Sequence, residues 1–433
     1  MKQFFKYVLL SVTGTLGISV YILADTYFIA LYCGAEGLAT LNLILPLYSL
    51  IFAIGGMIGV GSATLYAIRK ATGADTSLIF GQAILWVSTF SLPFFLTGIF
   101  FPEQALTLLG ADESLLVLGT PYIRIGIIAA PLFMINSCVT SFVRNDAAPM
   151  TTMAGALVGS SFNILFDYIF MFVMDMGLTG AALATAISPA VTSAVCLSHF
   201  FSRKNKIVLK WSPWSTAHLR RACSLGSSAL MSEISAMVIT FTFNMLILSL
   251  GGNTGVAAYG VIANIAIVVM AIFNGISQGT QPLISDSYGR GNTRMQHFYV
   301  KMSLAFSFAL SMLIVIAVFT KSGFVIGIFN SQNDVALSAY AKEGIRFYFP
   351  GFPIAALNIM LVSSYAASDR GKKAFVCSLL RGLVGIIFFA VVLSRFLGMQ
   401  GIWLSFPAAE VLTLLFILLS GAGRDSSATE KAT

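Results

Sequence analysis

The chain has 433 residues, of which 57% are hydrophobic and only 10% are charged, and its formal net charge is +8. A soluble protein carries about a quarter charged residues, so this composition excludes a string of water-soluble domains and indicates that the chain folds in a bilayer. The basic residues fall in short clusters between apolar runs, which argues against a nucleic-acid partner. Five cysteines stand singly, without a CxxC motif, so neither a disulfide framework nor a zinc site is expected.

Apolar runs of about twenty residues, bounded by charges or by Gly and Pro, follow one another along the whole chain. They predict an all-α membrane protein with twelve transmembrane helices. The predicted spans are 8–32, 41–67, 78–101, 117–143, 150–174, 178–201, 224–250, 256–286, 298–320, 340–366, 374–397 and 401–421.

The distribution of Lys and Arg predicts the orientation of these spans. If both termini are cytoplasmic, twenty of the 25 basic residues lie on the inner side. The outer side then holds only Arg124, Lys321, Lys342, Arg346 and Arg395. This is the bias that the positive-inside rule describes.

The two halves of the sequence resemble each other. With a shift of 218 residues, the stretch 34–73 aligns without a gap on 252–291, and the identical pairs include Gly34/Gly252, Gly37/Gly255, Gly61/Gly279 and Gly73/Gly291. At a shift of 222, Asp112 pairs with Asp334 and Asn136 with Asn358. An internal duplication predicts two pseudo-symmetric six-helix lobes around a central cavity, an architecture of transporters. The expected divisions are an N-lobe at 1–201, a cytoplasmic linker at 202–221, a C-lobe at 222–421 and a cytoplasmic tail at 422–433.

Four acidic residues lie well inside predicted spans: Asp25, Asp167, Glu233 and Glu410. Asp25, Asp167 and Thr185 are each eight residues from the outer end of their spans, which places all three roughly 12 Å deep. Asn163 is one helical turn deeper than Asp167 on the same face. Matching depth in three helices is what a shared site requires.

This polar cluster belongs to the first half alone, because the duplication aligns its members with Phe243, Val384, Phe388 and Phe406. Structural contacts would more plausibly recur in both halves, so we interpret the carboxylates as binding a proton or a sodium ion. For sodium, the expected ligands are Asp25, Asn163, Asp167 and Thr185. The alternative is that the acids are neutral and merely tolerated, and it carries more weight for Glu233 and Glu410. Tyr122 has an alternative role as an interfacial aromatic residue.

Several motifs resemble the multidrug and toxic-compound extrusion (MATE) transporters, most of all the bacterial branch with DNA-damage-inducible and MepA-type members. They are ADTYFIALYCGAEGLA at 24–39, RNDAAPM at 144–150, NILFDYIF at 163–170 with GLTGAALAT at 177–185, and AAYGVIANIAIVVMAIFNGISQGTQPLISDSYGRG at 257–291. Together they extend the resemblance over essentially the whole chain.

The resemblance implies a monomeric protein of the bacterial inner membrane that exports bulky, mainly cationic and lipophilic drugs or dyes by proton or sodium antiport, without a cofactor. It implies a cation site at Asp25, Asn163, Asp167 and Thr185, with Tyr122 a looser match. Glu233 matches an acid of the seventh span in many members, and Glu410 is a further candidate for coupling or for a substrate's charge. A second-lobe cation site is in doubt, because Asp369 lies at the cytoplasmic end of its span.

Other functions remain as alternatives. The sequence GISQG at 275–279 fits a nucleophile-elbow pattern, but it lies in an apolar helical run without a suitable His, so an enzyme is not expected. A flippase for lipid-linked precursors would need several basic residues in its cavity, and the predicted spans are nearly free of them. A non-transporting membrane receptor or assembly protein would show no concentration-driven flux.

Overall fold

The computed structural model describes residues 1–111, 113–329 and 335–422. Within these ranges every regular element is helical. The α-helices are α1 (Lys2–Thr72), α2 (Ile79–Phe100), α3 (Pro102–Leu108), α4 (Glu113–Ile128), α5 (Ala130–Asn145), α6 (Pro149–Tyr168), α7 (Gly177–Leu197), α8 (Thr216–Gly289), α9 (Thr293–Thr320), α10 (Ser322–Phe329), α11 (Val335–Tyr348), α12 (Phe352–Ala367), α13 (Gly371–Leu379), α14 (Gly385–Leu397) and α15 (Met399–Ala422). Two π-helical turns (Ile169–Val173 and Leu380–Val384) and two 3₁₀ turns (Ser198–Phe201 and Phe349–Gly351) complete the set.

The described residues contain eleven helices that are long and apolar enough to cross a membrane. A twelfth span consists of two shorter helices, Leu115–Ile128 and Ala130–Asn145, which meet at 42°. A proline at the start of α5 accounts for the bend, because proline cannot continue the hydrogen bonding of the preceding helix. Every predicted span falls on one of these twelve, which confirms the predicted all-α membrane fold.

The long helices α1 and α8 each contain two spans that are joined without a loop. The first two spans are Lys2–Gly34 and Glu36–Thr72, and the seventh and eighth are Thr216–Gly252 and Thr254–Gly289. The chain reverses at Gly34 (φ 62°, ψ −145°) and at Gly252 (φ 60°, ψ −159°). Only glycine adopts this backbone region readily. The two residues are also paired by the 218-residue shift, so both lobes use the same bend.

Each lobe has its own hydrophobic core. The start of α1 packs in the core of the second lobe, and the start of α8 packs in the core of the first. One core is built mainly from residues 29–207 and the other mainly from residues 243–409. The start of α1 lies in the second core through Phe4, Tyr7 and Val8, while Leu225 near the start of α8 lies in the first core. Tyr7 and Leu225 are related by the 218-residue shift, so the exchange follows the pseudo-symmetry.

Two glycine-lined seams hold the lobes together. In the first seam, a Cβ atom added at Gly61 would lie 2.0 Å from the Ala222 carbonyl oxygen, and one at Gly226 would lie 1.9 Å from the Met57 carbonyl oxygen. In the second seam, a Cβ atom at Gly279 would lie 2.8 Å from the Cα of Val8. Gly61 and Gly279 are again related by the 218-residue shift. Glycine therefore allows backbone-to-backbone packing at both seams.

The seams lie on the side of the molecule where the N-terminus is found. Three inter-lobe side-chain hydrogen bonds in the described part of the chain lie on this side too. They run from Thr15 to the Ala271 carbonyl (2.8 Å), from Gln281 to Thr64 (3.0 Å) and between Ser62 and His218 (3.1 Å). The inter-lobe contacts named here are therefore concentrated on the N-terminal side of the described part of the chain.

The connection between the lobes is shorter than the predicted linker at 202–221. The side chain of Ser215 accepts a hydrogen bond from the backbone N–H of His218 and so caps α8, which begins at Thr216. Residues 216–221 are therefore helical. Most of the predicted tail, 423–433, and the pair Asp112 and Asp334 lie outside the described residues.

Candidate functional site

Small residues bring α6 and α7 into close contact in the N-lobe. A Cβ atom added at Gly159 would lie 2.0 Å from the hydroxyl oxygen of Thr192, and one at Gly155 would lie 3.0 Å from the Thr192 carbonyl oxygen. The Ser188 hydroxyl donates a hydrogen bond to the Gly159 carbonyl at 3.0 Å. This close approach allows short polar side chains to reach from one helix to the other.

Asn163 and Thr185 meet just beyond this contact. The Asn163 amide donates a hydrogen bond from Nδ2 to Oγ1 of Thr185 at 3.2 Å. Asp167 lies one turn further along α6, and both Asn163 and Asp167 are completely buried. The contact between α6 and α7 thus joins Thr185 to Asn163, one turn deeper than Asp167, with which Thr185 was predicted to share its depth.

Asp25 on α1 faces the same region. Its side chain is buried, and its carboxylate is close enough to that of Asp167 for their charges to interact. Oδ1 of Asp25, Oδ1 of Asn163 and both carboxylate oxygens of Asp167 are buried without a hydrogen-bond donor. An ionised carboxylate without a partner is very costly in such surroundings. A proton or a small cation would provide these oxygens with the partner that they lack.

These oxygen atoms could bind either a proton or a small cation. A proton on one of two neighbouring carboxyl groups removes their mutual repulsion and supplies an O–H donor. Carboxylate, amide and hydroxyl oxygens are also the ligands that hard cations prefer. The amide of Asn163 is held by Thr185, which leaves its carbonyl oxygen free to accept.

Three tyrosines surround the acids. Tyr122 on α4 is buried, and its ring packs edge-to-face on that of Tyr48 with centroids 6.4 Å apart. Tyr122 and Tyr21 both interact electrostatically with Asp25 and Asp167, and Tyr48 interacts with Asp25. Tyr21 and Tyr48 were not predicted from the sequence. Tyr21 could have been found, since it lies one turn before Asp25 on the same helix face.

Glu410 belongs to a separate cluster in the C-lobe. Its carboxylate accepts hydrogen bonds from Nε of Arg381 at 2.6 Å and from Nδ2 of Asn358 at 2.7 Å. Glu410 and Asn358 are buried, and Arg381 is largely so. Arg381 lies within the eleventh span, in a π-helical turn. The prediction that placed it among the basic residues of the inner side is therefore wrong. The Glu410 charge is thus balanced within the lobe.

Glu233 lies apart from both clusters, and its side chain is exposed. It is one turn beyond Ala229 on α8, on the face that carries Ala222 and Gly226 toward α1. An exposed side chain at this point indicates that the first seam has ended before Glu233.

Known proteins are similar to this chain over nearly its whole length. A model of the MatE family matches residues 11–169 and 229–391, one segment in each lobe. The chain is 27% identical to the "Multidrug export protein MepA" of Staphylococcus saprophyticus over 97% of this chain and 93% of that protein. It is also 27% identical to the MepA protein of Staphylococcus aureus strain MRSA252, over 94% of this chain and 90% of that one.

Solved structures share the fold. A crystal structure of "MATE in complex with MaL6" superposes with a TM-score of 0.91 at 20% identity, covering 99% of this chain and 97% of the other. An "outward-facing conformation of a multidrug resistance MATE family transporter" superposes with a TM-score of 0.89 at 20% identity, covering 99% and 96%.

Proposed function

Because the chain belongs to the MatE family of transporters, which are not enzymes, we propose that it is a multidrug efflux transporter that exports bulky, mainly cationic lipophilic compounds in exchange for protons or sodium ions. The observation that carries this proposal is the group of unpartnered buried oxygens on Asp25, Asn163 and Asp167. A permanent structural contact would satisfy these atoms, whereas a site that loads and unloads a cation leaves them without a protein donor.

In this proposal the coupling site consists of Asp25, Asn163, Asp167 and Thr185, with Tyr122 against it. Glu233 is the candidate partner for a cationic substrate. Glu410 is left out, because Arg381 already neutralises it. We also propose that the chain acts as a monomer and needs no cofactor.

We further propose that both termini face the cytoplasm of a bacterium, as the distribution of basic residues indicates. In this proposal the seams close the cytoplasmic side, as an outward-facing state of the transporter requires. Alternating access would open the seams and close the opposite side. Antiport requires that loading of the cation and binding of the drug disfavour each other, and this coupling is reciprocal.

Dye efflux from proteoliposomes tests the proposal when a proton gradient and a sodium gradient are imposed separately. We expect efflux under one of them in the wild type and its loss in Asp25→Asn and Asp167→Asn. Glu103→Gln is the matched control, because Glu103 is an exposed acid outside the cluster. Wild-type vesicles without gradient-driven efflux would refute the transport proposal. Normal efflux in both Asp variants would refute the assigned site alone.

A further inference from the structure

The linker between the lobes is attached along its length to the N-lobe. The Gln82 amide donates a hydrogen bond to the Pro213 carbonyl at 2.7 Å, and its carbonyl accepts one from the Ser215 N–H at 3.0 Å. Trp214 donates through Nε1 to the Thr89 hydroxyl at 3.3 Å. Gly81 lies so close to the linker that an added Cβ atom would be 2.1 Å from the Lys210 carbonyl oxygen.

These contacts place the linker at the membrane surface. The helix that it follows, α2, has 22 residues and is therefore roughly 33 Å long, little more than the hydrocarbon thickness of about 30 Å. The backbone of the linker meets Gly81 and Gln82 in the first turn of α2, while the Trp214 side chain reaches Thr89, about halfway along the helix. The linker thus runs where the headgroups meet the hydrocarbon, not out in water.

The linker exposes several large apolar side chains, whose contact with water would be unfavourable. Phe201 is 93% exposed, Trp211 61% and Trp214 62%, and Val208 and Leu209 are about half exposed. Tryptophan next to aliphatic residues is typical of segments that lie in the membrane interface.

The same segment is basic and contains no acid. Arg203, Lys204, Lys206 and Lys210 are all exposed, and the sequence has no Asp or Glu between residues 176 and 232. Exposed bases at the membrane surface attract anionic headgroups. The positive charge and the exposed apolar side chains of the linker therefore both favour contact with anionic lipid.

We propose that residues 201–214 form an interfacial anchor that binds anionic phospholipid, with its lysine and arginine side chains on the headgroups and Trp211 and Trp214 at the level of the upper acyl chains. The anchor is attached to the N-lobe. Besides the contacts with α2, the backbone N–H of Lys206 donates to the buried carboxylate of Asp146 at 2.8 Å. Anionic lipid is therefore held at one lobe.

Tryptophan quenching by brominated lipids tests this proposal on the full-length protein in vesicles. Vesicles contain phosphatidylcholine and phosphatidylglycerol, with bromine on the acyl chains of one lipid or of the other. We expect stronger quenching when the phosphatidylglycerol carries the bromine. The difference should largely disappear in Trp211→Phe/Trp214→Phe, which leaves the inner Trp86 and Trp403 as the emitters.

Charge variants separate the anchor from the general positive charge of the protein. In Arg203→Gln/Lys204→Gln/Lys210→Gln, the preference for phosphatidylglycerol should fall by about fivefold for each base removed. The control Arg294→Gln/Lys301→Gln/Lys372→Gln removes three exposed bases from the C-lobe and should keep the preference. Equal quenching by both lipids in the wild type would overturn the proposal, as would equal losses in the two triple variants. Binding of a soluble polyanion without lipid quenching would also overturn it.

Discussion

Gly56 and Ala229 face each other across the first seam: an ideal Cβ atom built on Gly56 lies 3.9 Å from the Cβ of Ala229. This distance suits a disulfide, whose Cβ atoms are usually 3.5–4.5 Å apart. In a background without the five native cysteines, the pair Gly56→Cys/Ala229→Cys should therefore oxidise readily. Because the bond keeps the seam closed, we expect dye efflux to stop on oxidation and to return on reduction.

Two controls accompany this experiment. Each single cysteine variant should transport equally with and without oxidant, and gel mobility should report the bond. Continued efflux with the bond fully formed would show that the seam need not open during transport.

Gly61 tests the same seam through packing. A Cβ atom at this position would lie 2.0 Å from the Ala222 carbonyl oxygen, a contact that real Cβ atoms do not make. Gly61→Ala should therefore push the lobes apart and lower the disulfide yield of the Gly56→Cys/Ala229→Cys pair several-fold. The control is Gly260→Ala on α8, where an added Cβ atom meets nothing within 4 Å. Unchanged yield in Gly61→Ala would contradict the tight seam.

The ion pair between Arg381 and Glu410 should contribute to stability and not to coupling. Glu410→Gln leaves a guanidinium without its counter-ion inside a span, and removing one partner of a buried pair costs about 3–5 kcal/mol. The thermal midpoint in detergent should fall accordingly. Arg381→Met/Glu410→Leu should recover most of the loss, because the desolvated charges are gone together.

Transport by the double variant separates the two roles. We expect Arg381→Met/Glu410→Leu to retain gradient-driven efflux. Loss of efflux in a double variant of normal stability would assign Glu410 to the coupling machinery after all.

Asp146 joins three parts of the N-lobe near the N-terminal side. Its carboxylate accepts hydrogen bonds from Tyr66 (2.7 Å), His199 (2.9 Å) and the Lys206 N–H, and it forms an ion pair with Lys70. Burial opposes its ionisation, but these donors outweigh burial and hold the pKa of Asp146 below its usual range. Asp146→Asn should cost about 3–5 kcal/mol, measured as a lower thermal midpoint. Asp75→Asn, at an exposed loop acid, is the control.

The pH dependence of this contribution has a definite sign. A carboxyl group whose pKa is lower in the folded state stabilises the protein fully above its unfolded pKa, roughly 3.9. That stabilisation is lost as the pH falls through the lower folded pKa. The difference in thermal midpoint between wild type and Asp146→Asn should thus be constant at neutral pH and shrink below about pH 4. A difference that stays constant into strong acid would contradict the ionised role.

The sequence predicted the spans well because hydrocarbon thickness imposes a length on each apolar run. Counting residues along the helices also predicted neighbouring levels for Asn163 and Thr185, and these two side chains are in contact. It did not predict which side chains meet across helices. Tyr48 approaches Asp25 through helix packing, which hydropathy does not encode.

Arg381 shows where sequence reasoning about charge is limited. A basic residue near the end of an apolar run is naturally assigned to the adjacent loop under the positive-inside rule. Glu410 is 29 residues away in the sequence, yet it stabilises Arg381 within the membrane. The pair depends on the packing of α15 against the π-helical turn, which the sequence alone does not reveal.

The exchanged positions of Tyr7 and Leu225 bear on biogenesis. The core around residues 29–207 includes Leu225, so the amino-terminal half reaches its final packing only after the ribosome has delivered the seventh helix. The carboxy-terminal half in turn draws Phe4, Tyr7 and Val8 from the first residues synthesised. Each core is therefore complete only when the first helix end of the other half has been inserted beside it.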